Sequence, residues 1–300
     1  MSRFLYTSEA LNGSSVLASA SILWPYLPRK FSNLTTCDGD SSGSHIYPIV
    51  GLAHGTSGQT QACAPSGLRA LWDDYHNPFP LALAGYAVVA PDYAGLGVPN
   101  GPCPYFILPA QANDLFHAIA AAQSAWPDML SEKFVLAGQS QGAAVTWAAA
   151  QRQAIRPVKG YLGTIAASPF TDVLQIIAAD NQAQNNGRVA GIAQGLNSVL
   201  PDFQLSDWLT DAGIARWELL HEIKGCGVTG GQLWSAEGGT IQLLKDGWNE
   251  TSAAKWYSKI MNGNKPFAGP MLVVQGKYSS LVPCGRYVPS QIILTIRRNH

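Results

Sequence analysis

One segment of the 300-residue chain has the residue types and spacing for nucleophilic chemistry: Phe134-Val135-Leu136-Ala137-Gly138-Gln139-Ser140-Gln141-Gly142-Ala143-Ala144. An apolar run leads into Gly-x-Ser-x-Gly, and an Ala-rich run follows. A serine hydroxyl becomes a useful nucleophile when a tight, strained turn lifts it out of a sheet and a base stands beside it. Glycines two positions before and after such a serine let strand and helix approach with no Cβ between them. The helix that starts there presents N–H groups and a positive dipole end to an oxyanion forming on an attacked carbonyl. Ser140 is the nucleophile that this pattern singles out. The plain alternative is a strand-to-helix turn with a hydroxyl cap, and the flanking strand and helix patterns weigh against it.

A second segment supports the first. Ile49-Val50-Gly51-Leu52-Ala53-His54-Gly55-Thr56-Ser57-Gly58 reads as a strand that ends in a His-Gly turn. A loop there can aim one backbone N–H at the same oxyanion, the other coming from the residue after the serine. Thr56 and Gln141 are assigned as these two donors. His54 reads as a turn residue and not as the base, because it precedes the serine where the chain order should be serine, acid, histidine.

The elements that must hold these residues are visible as short apolar runs at 47–53, 86–90, 134–137 and 271–275, with a fifth at 161–166. Helical stretches lie between them, notably 110–125 and 141–153. Continuous apolar strands alternating with helices predict an α/β fold with a mostly parallel sheet covered on both faces. The rhythm breaks over 170–267, which has helical patches and the tryptophans Trp208, Trp217, Trp234, Trp248 and Trp256. The expectation is an inserted helical cap, with the chain returning to the sheet at 271. The polar, Gly-rich stretch 35–44 reads as an exposed loop. His117 reads as a helix residue and His221 as part of the cap. Asp92 and Tyr93, on a loop after a strand, fit a pocket wall and a self-bonded turn equally well.

Composition bounds the function classes. The chain has 19 Lys+Arg, 19 Asp+Glu and 13% charged residues. Zero net charge leaves no electrostatic footprint for nucleic acid or an anionic membrane. No apolar run approaches the roughly 18 residues of a membrane-spanning helix. The five cysteines, at 37, 63, 103, 226 and 284, show no zinc spacing. Sequons stand at Asn12, Asn33 and Asn249. Low charge, sequons and scattered cysteines point to an extracellular protein, whereas Met1–Thr7 lacks the apolar stretch of a signal peptide. A clipped or misannotated N-terminus would reconcile the two.

With these motifs in hand, the chain resembles the fungal secretory lipase family (lipase-A type) of α/β-hydrolases. The matching segments are Ala53-His54-Gly55-Thr56-Ser57-Gly58, Cys63-Ala64-Pro65-Ser66, Ala90-Pro91-Asp92-Tyr93-Ala94-Gly95-Leu96-Gly97 and Gly138-Gln139-Ser140-Gln141-Gly142, and the likeness runs from about Phe4 to Gly276. The resemblance implies an α/β-hydrolase core over 1–276 with a helical cap at about 170–267. It implies hydrolysis of lipid esters of the triacylglycerol type, or of other carboxylic esters, through an acyl-enzyme on Ser140. No metal or organic cofactor is implied. It also implies secretion and a disulfide between Cys63 and Cys226.

The C-terminal end departs from that pattern. The family's acid position falls on Ser279, and the one histidine beyond it is His300, the last residue. Residues 277–300 carry Lys277, Arg286, Arg297 and Arg298 and no acid, so residues 1–276 alone hold 15 basic against 19 acidic residues. Gly276-Lys277-Tyr278 can be encoded by a sequence that contains a splice donor. The tail is therefore expected to be translated intron standing in for the last helix, the last strand and the catalytic histidine, which sequencing the transcript tests. With the acid and histidine lost, a catalytically impaired hydrolase acting as a binding module is the alternative from another class.

Overall fold

The computed structural model describes residues 1–26, 46–72, 77–179, 186–235 and 241–275. Among these, seven strands form one sheet: β1 (Ser2–Glu9), β2 (Ser15–Leu23), β3 (Tyr47–Ala53), β4 (Ala87–Pro91), β5 (Leu130–Gln139), β6 (Tyr161–Ala167) and β7 (Met271–Val274). Their order across the sheet is β1-β2-β4-β3-β5-β6-β7. β2 runs antiparallel to both β1 and β4, and every other neighbouring pair is parallel.

Side chains alternate between the two faces of the central strands, as the period of two requires. Ile49, Ala53, Ala87 and Val89 enter the main core with α2 (Leu108–Ala125) and α3 (Gln141–Ile155). Leu52 and Val88 point the other way and pack on Ala82 of α1 (Pro78–Leu83). Both long helices meet the sheet through small residues, Ala112, Ala118 and Ala122 on α2 and Ala144 and Ala149 on α3, all buried. Small contact residues bring the helix axes close to the sheet, and this sets the position of the β5–α3 turn.

Two elements differ from the apolar-run reading. β1 and β2 form an antiparallel hairpin at the start of the chain, closed at 10–14 by bonds from Ala10 N to Ser14 O (2.8 Å) and from Ser14 N to Asn12 Oδ1 (3.0 Å). β1 has one face exposed, with Arg3, Leu5 and Thr7 outward, and its apolar residues in a row are only Phe4-Leu5-Tyr6, too short a run to stand out. β5 begins at Leu130, ahead of the run at Phe134, because Glu132 and Lys133 stand exposed where the register with β3 shifts between Tyr47 and Ile49.

Between β6 and its parallel neighbour β7 the chain forms α4 (Val173–Ala179), α5 (Asn186–Val199), α6 (Asp211–Glu222), α7 (Gly227–Trp234) and α8 (Ser252–Ile260). Thr210 and Thr251 cap α6 and α8 by accepting the N–H groups of Gly213 and Ala254. Trp208 and Trp234 are buried here, and the Trp208 indole N–H donates to Thr251 Oγ1 at 2.9 Å. No helix among the described residues is long and apolar enough to cross a membrane. Ser279, His300 and the rest of the tail expected to be aberrant lie outside the described residues.

Candidate active site

The site is built on the junction of β5 and α3. Ser140 follows the last residue of β5 and has φ 56°, ψ −119°, a conformation that costs a non-glycine residue about 1–3 kcal/mol. The turn is fixed from both ends. Ser140 N–H donates to Ala167 O on β6 at 2.9 Å, and Ser140 O accepts from Ala144 N at 3.2 Å. The two glycines of the motif are required by contact, since a Cβ on Gly138 would overlap the carbonyl of Gly142 and a Cβ on Gly142 would overlap that of Ala53. The sequence pattern thus has a direct steric cause.

The loop after β3 comes to the same place. Thr56 Oγ1 donates to Oε1 of Gln141, the first residue of α3, at 2.9 Å. Tyr105, from the loop before α2, places its hydroxyl 3.0 Å from Thr56 Oγ1. Gly55 packs beside Gln139, where an added Cβ would lie 3.1 Å from Gln139 Oε1. Ser140, Thr56 and Gln141 therefore meet at one point, with Tyr105 joined to them. Tyr105 is a residue that sequence reading missed, because nothing in Pro104-Tyr105-Phe106 marks a loop that returns to Ser140.

Above this point lies a cavity of about 600 Å³. Its wall on the sheet side includes Gly55, Thr56, Gln139 and Ser140, and its far wall comes from the β6–β7 segment, with Arg188, Leu220, Val228 and Trp234. The two walls are fastened together. Cys63 and Cys226 form a disulfide with Cα atoms 5.4 Å apart. Gly227 N–H donates to Ser57 O at 2.8 Å, and Gln194 Nε2 donates to Gln59 O at 3.0 Å. Gly58 lies against the disulfide, where a Cβ would stand 2.5 Å from Cys63 Sγ. Cys103 is a buried free thiol, which burial pushes above the usual range.

Each described histidine is engaged elsewhere. His54 has its ring nitrogens 2.6 Å from Gly55 O and 3.2 Å from Asp92 O, and its ring stacks on Tyr93 at 4.2 Å. Burial lowers its pKa and so favours the neutral ring. His117 lies on α2, 3.8 Å from Glu9, and His221 Nδ1 is 2.9 Å from Trp217 O. The described residues contain no cluster of histidine, cysteine and carboxylate side chains able to hold a metal.

Asp92 does neither of the two things its sequence context allows. Its carboxylate is buried away from the cavity and accepts from Ser66 N (2.8 Å), Ser66 Oγ (2.5 Å) and Ser19 Oγ (2.6 Å), tying β2 to the loop that carries Cys63. A second buried carboxylate, Asp114 on α2, accepts from Ser8 Oγ at 2.5 Å and Ala94 N at 2.9 Å. Burial raises Asp114 to about 7 despite these two bonds. Ser66 and Asp92 occur in the motif segments, but a purely local reading gives no sign that they bond to each other.

Comparison with solved structures gives the same fold. A rice cell wall degrading esterase from Xanthomonas oryzae aligns with a TM-score of 0.69 at 18% identity, over 94% of this chain and 76% of the other. A hydrolase described as putative from Legionella pneumophila aligns with a TM-score of 0.74 at 18% identity, over 94% and 75%. Lipase A from Candida antarctica aligns with a TM-score of 0.70 at 14% identity, over 94% and 66%. No curated protein matches the chain in sequence. The profile of the alpha/beta hydrolase family matches residues 52–260, from the end of β3 through the Ser140 turn to the end of α8, and the chain belongs to that family.

Proposed function

We propose that the chain is a serine hydrolase of carboxylic esters, with lipid esters of the triacylglycerol type as its substrate class. The observation that carries this reading is Ser140 at φ 56° on the β5–α3 turn, at the wall of a cavity of about 600 Å³. Ser140 Oγ attacks the ester carbonyl carbon, and a base takes the hydroxyl proton and returns it to the departing alcohol. The backbone N–H groups of Thr56 and Gln141 hold the oxyanion. Water then attacks the acyl-enzyme, releasing the acid and restoring the Ser140 hydroxyl. Residues at about 170–267 act as a cap over the acyl group, and Phe106, Phe170, Leu220 and Trp234 supply the apolar part of a lining that also includes Gln59 and Arg188. A lipase and an esterase among the proteins of similar fold support an ester substrate. The Cys63–Cys226 disulfide supports a secreted protein, since such bonds persist in oxidising compartments.

One observation favours a second reading, a catalytically impaired hydrolase that binds its ligand. His54 and His221 face backbone oxygens, and His117 lies beside Glu9. A fluorophosphonate probe separates the two. Adduct formation on Ser140, lost in Ser140→Ala, supports the hydrolase, and release of acid from p-nitrophenyl esters of increasing chain length then defines the acyl preference. A folded chain that takes up no probe overturns it in favour of the binding module.

A further inference from the structure

Tyr105 is 1% exposed, and its oxygen lies 3.0 Å from Thr56 Oγ1. A threonine hydroxyl has one proton to give. That of Thr56 goes to Gln141 Oε1 at 2.9 Å, an oxygen that only accepts. The hydrogen between Thr56 and Tyr105 must then come from the phenol. Burial pushes that phenol up to about 12, so it keeps its proton at any physiological pH. The result is a directed chain, Tyr105 O–H to Thr56 Oγ1, then Thr56 O–H to Gln141 Oε1.

Tyr105 is itself held firmly. Its N–H donates to Cys103 O at 2.8 Å, and its ring meets Phe106 edge-on at 5.0 Å. α5 rests on it through glycines: a Cβ on Gly191 would lie 2.7 Å from its Cδ1, and a Cβ on Gly195 would overlap its carbonyl oxygen. The next residue, Phe106, has φ 56° and accepts a hydrogen bond from the Tyr257 hydroxyl at 3.1 Å. Tyr105 thus offers a fixed donor, backed by the β6–β7 segment, to a side chain that joins the loop after β3 to the first turn of α3.

We infer that Tyr105 is a positioning residue for the oxyanion site, holding Thr56 so that the loop after β3 and the first turn of α3 keep the spacing the developing oxyanion needs. This rests on the reading of Ser140 as an esterase nucleophile. Tyr105 borders the cavity but is 1% exposed, so it acts through Thr56, and losing its hydroxyl affects transition-state stabilisation and not ground-state binding.

The test uses the rate at which Ser140 of the full chain reacts with a fluorophosphonate, whose phosphoryl oxygen occupies the oxyanion site. Tyr105→Phe is expected to slow the maximal rate about three- to tenfold, the range for one net hydrogen bond, with the concentration for half-maximal rate unchanged. Thr56→Ser should retain more of the rate than Thr56→Val. Adding Tyr105→Phe to Thr56→Val should cost nothing more, whereas a structural role would cost the same in both backgrounds. An unchanged rate in Tyr105→Phe, or an equal loss in both backgrounds, overturns the inference.

Amide hydrogen exchange gives an independent readout. In Tyr105→Phe the segment 55–60 should exchange severalfold faster with the global unfolding midpoint unchanged, and unchanged exchange overturns the inference. If the wild-type chain takes up no probe, it is the nucleophile reading that falls, and the exchange result still decides whether Tyr105 fixes the loop.

Discussion

Gly142 sits against Ala53 so closely that a Cβ on Gly142 would overlap the Ala53 carbonyl oxygen. The first turn of α3 is thereby pressed onto the end of β3, and the loop carrying Thr56 starts from that contact. This places the strained serine and the upstream loop side by side without a long side chain reaching between them.

Gly142→Ala therefore disturbs both at once. The methyl group meets backbone on an element fixed by the sheet, so relief requires a shift of the turn. A loss of about 1–3 kcal/mol is expected, the usual range for overpacking. Thermal unfolding measures it, and fluorophosphonate labelling of Ser140 should fall in the same variant. Ser140→Ala, by contrast, relieves no clash and should unfold within a few degrees of the wild type.

The disulfide closes a sequence separation of 163 residues, so the chain-entropy account gives it about 5 kcal/mol. Cys226→Ser is expected to lower the denaturant midpoint, and a reducing agent should lower the wild type to about the same value. Because Cys63 is on the loop after Thr56 and Cys226 on the far wall of the cavity, labelling of Ser140 should also weaken on reduction. A wild type whose midpoint ignores reductant would show that the bond contributes no stability.

Much of this arrangement was legible in the sequence, for physical reasons that differ by element. β3 and β4 are buried on both faces, so their runs of Val, Ala and Leu stand out. The Ser140 turn is legible because steric contact forces glycine at 138 and at 142, two positions either side of the serine. The N-terminal hairpin was hidden, since one face of β1 meets solvent and only Phe4-Leu5-Tyr6 are apolar in a row. Asp92 was legible as a special position but not as a tie to Ser66 and Ser19, because those partners lie 26 and 73 residues away. Tyr105 was hidden in the same way, 49 residues from Thr56.

His54 offers a test of the site's chemistry. Both of its ring nitrogens face backbone carbonyls, Gly55 O at 2.6 Å and Asp92 O at 3.2 Å. A neutral ring carries one N–H and donates to only one of these two oxygens, so as a brace for the loop it contributes on the order of 1 kcal/mol. His54→Asn should therefore slow Ser140 labelling by about tenfold or less, and destabilise the fold slightly. Loss of a general base costs several orders of magnitude. A drop of that size in a folded variant would make His54 the base and refute its assignment as a brace.

Asp114 makes the fold sensitive to pH in a defined direction. Burial raises its pKa from 3.8 to about 7, so the folded state binds its proton more tightly than the unfolded chain does. Stability from this group is fully present below about pH 4 and is lost as pH rises to about 7. His54 slopes the opposite way, because burial lowers its pKa and its contribution falls as pH drops below 6.5. Comparing variants separates the two. Asp114→Asn keeps a side-chain oxygen for Ala94 N–H but cannot ionise. Its stability relative to the wild type should rise between pH 4 and pH 7, by at most about 4 kcal/mol, and level off above. Urea unfolding of both proteins at pH 4, 5.5, 7 and 8 measures this. A difference independent of pH would mean that Asp114 titrates at its ordinary value, and that its bonds to Ser8 and Ala94 fully offset the burial of its charge.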